Sequence, residues 1–372
     1  MIRVCHVADH LDGEVDGVYS HILEIIQLTD KKKIEHFLCF QGNFKIDGEI
    51  KNLGGKIILL PHLSSKFPLL AIIKFIQLMR KEEIDIIHTH FFKSYVVAGI
   101  SNIILRKKLI YNFHGLFIKN DYYNFFERAV YKFLHNLICW FKAVNEAIVP
   151  SKESANQLLK ETKKFPRISQ YYNGADVKTK SGEIDEKLLS KINSIKSYKL
   201  VYVGRIESEK RVDQAIELIG MLKRNGMKVH LFIFGKGKLE KKIIKLVNKL
   251  GLKENVSLLG VVPNPVDYFA LFDCLILTSS REGMPIVIWQ AMASGLPIIS
   301  SSVGGVTEVL TVSKSGFTFA SENLIEALEK IKLLSSNKLL KEEFGANGKK
   351  AIIEVFTLEK FKTFMENLYF NH

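Results

Sequence analysis

Short β-rich runs alternate with longer helical patterns along almost the whole chain. That alternation restricts the fold more than any other property, because strand–helix–strand repeats demand a parallel sheet with crossover helices. Strands are expected at 2–8 (IRVCHVA), 37–40, 56–60, 84–90, 108–114 and 138–144, with a short one at 147–150. Helical patterns cover Val18–Leu28, Leu69–Lys81 and Asn124–His135. After residue 174 the text turns charged and poor in large apolar residues, and reads as a linker with a weak helix. A second series then begins, with strands at 199–205, 228–235, 256–260, 274–280 and 297–302. Helices at Val212–Asn225, Leu239–Leu250 and Pro285–Ser294 intervene. The economical reading is α/β, two Rossmann-like domains with a hinge near 175–198. The 372 residues suit two such domains.

Composition narrows the partners. Hydrophobic residues make up 47%, enough for a core in each half, which excludes wholesale disorder. The net charge is +14, and it divides as +8 up to residue 180 (26 bases, 18 acids) and +6 beyond it (27 bases, 21 acids). A field spread over both halves favours nucleic acid, phosphorylated small molecules or an anionic membrane. Cys5, Cys39, Cys139 and Cys274 each sit in an apolar run without CxxC spacing, so buried, reduced thiols are expected. The N-terminus lacks the apolar centre of a signal peptide. The best apolar run, Phe67–Met79, is short and broken by Lys74. A cytoplasmic protein, soluble or peripheral, is expected.

In open α/β sheets ligands bind beyond the carboxyl ends of strands, so the residues just after each strand carry the functional argument. The strand KLVYVGR ends in Gly204-Arg205, with Lys210 and Arg211 ahead of the next helix. Arginine offers a planar fork for phosphate oxygens and lysine a compact charge. Arg205, directly after a strand-end glycine, favours function; for Lys210 and Arg211 taken singly a solvated loop serves as well. The strand HLFIFG runs into Gly235-Lys236-Gly237, which permits close backbone approach but is weak evidence alone. The strand CLILTSS leads to Arg281-Glu282-Gly283-Met284-Pro285, a sharp turn with proline at a helix start, and Glu282 in that turn favours a ligand role. PIISSS leads to Val303-Gly304-Gly305 and another helix start with free N–H groups. Together these devices describe a nucleotide-diphosphate pocket.

In the first half, Gly17 immediately precedes a helix. Asp12, Glu14 and Asp16 lack the spacing of a calcium loop and read as solvated. His88 and His90 alternate onto one face of a strand, but no third metal ligand is visible. The preferred reading is a buried His88 and a cleft-edge His90. His114 ends the strand LIYNFH, where an imidazole can donate or accept a hydrogen bond.

The succession GVYSHI, DIIHTH, FHG, VPSKESANQL, YYNGADV, VGRIESEKRVDQAIEL, FGKGKLE, VSLLGVV and REGMPIVIWQAMASGLPIISSSVGGVTEVL resembles the GT-B retaining glycosyltransferases of family four, the group 1 glycosyltransferases. The resemblance covers nearly the whole chain. It implies an N-terminal acceptor domain at 1–175, a nucleotide-sugar donor domain at 176–357, and a final helix, about 358–372, returning to the first domain. It implies transfer from a nucleotide-diphosphate sugar, a UDP-sugar, to a hydroxyl of a glycan or lipid-linked acceptor in surface polysaccharide synthesis, with no metal. Arg205 and Lys210 would bind the donor diphosphate, His114 would lie by the transferred sugar, and Gly17 would approach the diphosphate and acceptor. Glu282 matches the first glutamate of an E-x7-E motif that touches the sugar. The backbone of Gly283, Met284, Pro285 and Ile286 would meet sugar and phosphate, with Gly204, Gly235 and Lys236 at neighbouring strand ends, and Val261–Val262 would line the base.

One position departs from the family. The second glutamate of the motif falls on Gln290, which keeps a carbonyl acceptor for the ribose but loses the charge; weakened donor binding is expected. Rival readings are a non-hydrolysing sugar-nucleotide epimerase, a donor-binding partner subunit with reduced activity, and a nucleic-acid-binding protein, the last disfavoured because no helix concentrates the charge. The aromatic stretch with Tyr122, Tyr123, Phe125, Phe126, Tyr131, Phe133, Trp140 and Phe141 among basic residues reads first as a buried helix face, second as a surface for an anionic membrane.

Overall fold

The computed structural model describes residues 1–9, 17–41, 47–63, 69–114, 124–162, 165–172, 174 and 184–371. The acidic loop at 10–16, Tyr122 and Tyr123, and the front of the charged linker at 175–183 lie outside these. The chain divides into two compact units, Met1–Tyr172 with Leu358–His372, and Asn173–Thr357.

Unit 1 runs β1 (Ile2–Ala8), α1 (Gly17–Leu28), β2 (Ile34–Phe40), α2 (Asp47–Asn52), β3 (Lys56–Leu59), α3 (Leu69–Lys81), β4 (Ile86–Thr89), α4 (Phe92–Leu105), β5 (Lys108–Asn112), α5 (Phe125–Trp140), β6 (Glu146–Val149), α6 (Lys152–Thr162) and β7 (Ile168–Gln170). Its strands form one parallel sheet in the order β3-β2-β1-β4-β5-β6-β7. Strand alternation sorts the side chains. Cys5, Val7, Phe37, Ile87, Leu109 and Tyr111 pack with Phe75, Met79, Tyr95 and Ile138 on one face. Val4, Ile34, Ile86, Ile110 and Ile148 line the other face, where His6, His36 and His88 continue the same rows two residues further along their strands.

Unit 2 runs α7 (Glu186–Ser194), β8 (Tyr198–Val203), α8 (Val212–Arg224), β9 (Val229–Phe234), α9 (Glu240–Lys249), β10 (Val256–Gly260), β11 (Cys274–Leu277), α10 (Ile286–Ser294), β12 (Ile298–Ser301), α11 (Val306–Ser313), β13 (Gly316–Phe319), α12 (Leu324–Ser336) and α13 (Lys338–Glu354). Its parallel sheet has the order β10-β9-β8-β11-β12-β13. The weak helix read in the linker is α7: Asp185 caps it by accepting from Lys187 N and Leu188 N, and Ile192 is buried. A last helix, α14 (Leu358–Phe370), belongs to unit 1, where Phe361, Met365, Leu368 and Tyr369 cover the apolar row of Val4 and Ile86. Both sheets are Rossmann-like, and strand order reverses beside β1 in unit 1 and beside β8 in unit 2.

Two expectations change. The run 138–144 is not a strand; α5 continues to Trp140, and the next strand starts at Glu146. The buried residues His135 and Ile138 extend a helical period that the apolar run ICWF conceals. Of the aromatic stretch, Tyr131 alone among the described residues packs on the core; the others do not form a buried face. Asn124 and Glu127 form a capping box at the start of α5. Phe126, Val130, Phe133 and Trp140 then stand along its outer side, with Trp140 82% exposed, and Phe125 and Phe141 are exposed beside them. None of the four cysteines forms a disulfide, and Cys139 alone of them is only partly buried.

Candidate functional site

The strand ends beside the reversal at β8 hold most of the expected residues in unit 2. Gly204 N–H donates to Phe234 O and Gly235 N–H to Gly260 O, which ties the ends of β8, β9 and β10 together. Gly235 has φ +147°, and a Cβ there would lie 1.9 Å from Gly204 O, so only glycine permits the approach. Lys236 is exposed, and its stem passes over Gly260, ahead of the exposed Val261 and half-buried Val262.

Lys210 and Glu282 meet. The lysine Nζ lies 2.7 and 2.8 Å from the two carboxylate oxygens, and Ser279 Oγ donates to Glu282 Oε1 at 2.6 Å. The pair is largely sheltered, with side chains 18% and 8% exposed. Arg205 is exposed and lies 3.4 Å from Glu209 Oε1, while Tyr202 hydroxyl donates to Arg205 O. Glu209 also accepts at its main-chain oxygen from Ser280 N and Oγ, fastening the end of β8 to that of β11. Glu209 and Ser279 were not singled out from the sequence, since a Ser run and an acid in a charged loop carry no spacing signal. Both basic residues expected to meet a diphosphate thus have an acid beside them, Lys210 closely and Arg205 loosely.

The turn at Glu282–Pro285 rests on the glycine pair after β12. Gly305 N–H donates to Gly283 O at 2.9 Å. Gly304 has φ +56°, and a Cβ there would lie 1.9 Å from Glu282 O. Pro285 occupies the cap position of α10, one residue before the expected first helical turn. Met284, Ile286 and Gln290 are half-buried, and Ile286 and Gln290 share one side of α10 at i,i+4 spacing. No hydrogen-bond partner for the Gln290 side chain occurs among the described residues.

In unit 1, Gly17 opens α1 and His114 follows β5, half-buried. His90 is buried, 1% exposed, rather than at an edge, and His6 supplies a third imidazole within 4.8 Å of His88 and His90. His6 Nδ1 and His90 Nε2 are hydrogen bonded at 3.0 Å, so these two nitrogens satisfy each other without an ion. His6 Nε2 meets His36 Nδ1 at 3.0 Å, and His36 Nε2 meets Thr29 Oγ1 at 2.7 Å. His90 Nδ1 meets His114 Nε2 at 3.3 Å. To the side, Tyr369 hydroxyl lies 2.9 Å from His88 Nδ1, and Asn112 Nδ2 donates to His21 Nε2. Burial keeps these imidazoles neutral: His36 and His114 fall to about 4 and His88 to about 3, with His6, His21 and His90 well below the ordinary value. A sequence signal existed, since His6, His88, His90 and His114 fall near the carboxyl ends of adjacent strands, although His36, in the first half of β2, does not share it.

Residues 185–351 match the family model of glycosyl transferases group 1, and residues 15–179 match that of glycosyltransferase family 4. CapH of Staphylococcus aureus, a capsular polysaccharide biosynthesis glycosyltransferase, is 25% identical over 315 residues, covering 83% of this chain and 84% of its own. A poly(ribitol-phosphate) alpha-N-acetylglucosaminyltransferase of S. aureus (strain COL) is 27% identical over 169 residues, which are 45% of this chain and 34% of that protein. The crystal structure of HepE from Anabaena in complex with UDP-glucose superposes with a TM-score of 0.83 over 99% of both chains at 18% identity, a likeness of fold. The fold is GT-B, and the chain belongs to the family 4, group 1 glycosyltransferases.

Proposed function

We propose that this glycosyltransferase moves a sugar, with retention of configuration, from a UDP-sugar to a hydroxyl of a glycan or lipid-linked acceptor in surface polysaccharide assembly. The observation that carries the reading is the set of strand ends around β8, where Arg205, the Lys210–Glu282 pair and the start of α10 are fastened together. Departure of the nucleoside diphosphate builds negative charge in the transition state. Arg205, Lys210 and the N–H groups opening α10 can meet that charge without a metal. Glu282 would turn from Lys210 toward the sugar, the turn 283–286 would contact sugar and phosphate, and His114 would contact the transferred sugar. Gly17 would border the diphosphate, and Val262 the base, near Gly204, Gly235 and Lys236. CapH and the poly(ribitol-phosphate) transferase support a surface-polymer acceptor, and the UDP-glucose complex of HepE supports the donor class.

The test is a donor panel read by release of free nucleoside diphosphate, beside polyprenyl-linked and glycan acceptors. Turnover should persist in chelator. Arg205→Ala and Lys210→Ala should each lower it by about 10²–10³; near-normal turnover in both would refute the assignment.

The same reading places the enzyme on an anionic membrane surface at the cytoplasmic face. No helix among the described residues is long and apolar enough to cross a membrane. Support comes from the exposed Phe126–Val130–Phe133–Trp140 stripe of α5 and from Leu69, Leu70 and Ile73 exposed on α3 near Lys74, Arg80 and Lys81. Flotation with anionic vesicles at low salt should carry the protein up, and replacing Phe126, Phe133 and Trp140 by Ser should abolish this.

A further inference from the structure

The histidines of unit 1 form a chain with a direction. Thr29 Oγ1 lies 2.8 Å from Ile25 O and 2.7 Å from His36 Nε2. A hydroxyl has one hydrogen, and a main-chain carbonyl can only accept. The Thr29 hydrogen therefore goes to Ile25 O, since otherwise two acceptor oxygens would face each other at hydrogen-bond distance. His36 must then donate from Nε2. A neutral imidazole has one N–H and one lone pair, so His36 Nδ1 accepts, and His6 donates to it from Nε2. The same rule passes along: His6 Nδ1 accepts from His90 Nε2, and His90 Nδ1 accepts from His114 Nε2. Every link except His114 is buried, and burial keeps all four rings neutral, as the rule requires.

We propose that Thr29, His36, His6 and His90 are positioning residues that fix His114 as the Nε2-protonated tautomer, so that its Nδ1 offers a lone pair to a hydroxyl of the transferred sugar. This rests on the proposed contact of His114 with that sugar. An acceptor at this place has a consequence for rate. As the sugar ring gains positive charge on losing the diphosphate, its hydroxyls become stronger donors, and a lone pair binds the transition state better than the ground state. An N–H aimed at the same hydroxyl would not gain in this way.

The test uses the full chain labelled with ¹⁵N-histidine, with His114 identified by the signals lost in His114→Gln. Its Nδ1 should show the shift of an unprotonated, pyridine-type nitrogen and its Nε2 that of a protonated, pyrrole-type one. Thr29→Val removes the acceptor at the far end, so the chain should reverse and Nδ1 should become pyrrole-type. In that variant kcat should fall roughly three- to tenfold, with the donor KM within about twofold. Thr29→Ser should restore both spectrum and kcat.

A protonated Nδ1 in the unaltered protein overturns the proposal, and this spectrum needs no variant to fold. A reversed tautomer with unchanged kcat overturns the positioning role, and so does a lower kcat without a tautomer change. The spectra need no substrate, so a protein that transfers no sugar would sink the proposed function while the direction of the chain is still decided.

Discussion

Lowering the pH from 7 to 5 should unfold unit 1 while unit 2 stays folded. Six imidazoles of unit 1, those of His6, His21, His36, His88, His90 and His114, are kept neutral by burial. In the unfolded chain each titrates near 6.5. The folded values lie below that, so the unfolded state binds more protons, and stability is lost as pH falls through 6.5. At pH 5 each neutral imidazole costs about 2 kcal/mol, about 12 in all if the sites are independent. Glu24 opposes this. Burial pushes its carboxyl up to about 8, so it destabilises the fold at pH 7 and less so in acid. Its relief between pH 7 and 5 is about 3 kcal/mol, which leaves a net loss of about 9, comparable to the whole stability of a domain. In unit 2, His230 is the only described histidine, and its lowering is partial. The assay is circular dichroism beside the fluorescence of Trp289, which is 1% exposed in unit 2, whereas the exposed Trp140 reports little. Helical signal should fall between pH 6 and 5 without a red shift of Trp289 emission. A unit 1 that keeps its urea stability at pH 5 to within about 2 kcal/mol of neutral pH would refute the argument.

Three further outcomes follow from unit 2. Lys210→Met strips the cation from a carboxylate that is 8% exposed; calorimetry should show a loss of about 3 kcal/mol, roughly 6–12 °C in the unfolding of this unit. Adding Glu282→Gln should return most of the stability but not the turnover, and restored turnover would contradict the role of Lys210. Gly304→Ala sets a Cβ against Glu282 O, so the turn 282–285 must move; titration calorimetry should show UDP binding weakened roughly tenfold, and equal affinity would mean the turn does not depend on that approach. Gln290→Glu should tighten donor binding roughly fivefold, the difference between a neutral and a charged acceptor, and an unchanged or looser dissociation constant would remove Gln290 from the donor site.

The alternation of strands and helices made both sheets legible, because strands buried on two faces are written as continuous apolar runs. Short edge strands were missed. Ile168–Gln170 has three residues and Gly316–Phe319 starts with glycine, so neither carries a run long enough to see. The site was legible where glycine and charge fall at strand ends, as at Gly204, Gly235 and Glu282. It was not legible where partners come from distant parts of the chain. Lys210 and Glu282 are separated by 72 positions, and nothing in either neighbourhood announces the pairing. The exposure of Phe126 and Trp140 was hidden for another reason: α5 is apolar on both its inner and outer sides, so periodicity cannot say which side is covered.

The return of α14 to unit 1 sets the order in which the protein can mature. Val4, Ile34, Ile86 and Ile110 leave the ribosome early, but Phe361, Met365, Leu368 and Tyr369, which pack against that row, follow the 185 residues from Asn173 to Thr357. At translation rates of about 5–20 residues per second, that row waits roughly 10–40 s for its cover. Unit 2 is contiguous and can finish first. The unit that is synthesised first is therefore completed last, and during the interval its bare apolar row is a natural client for chaperones.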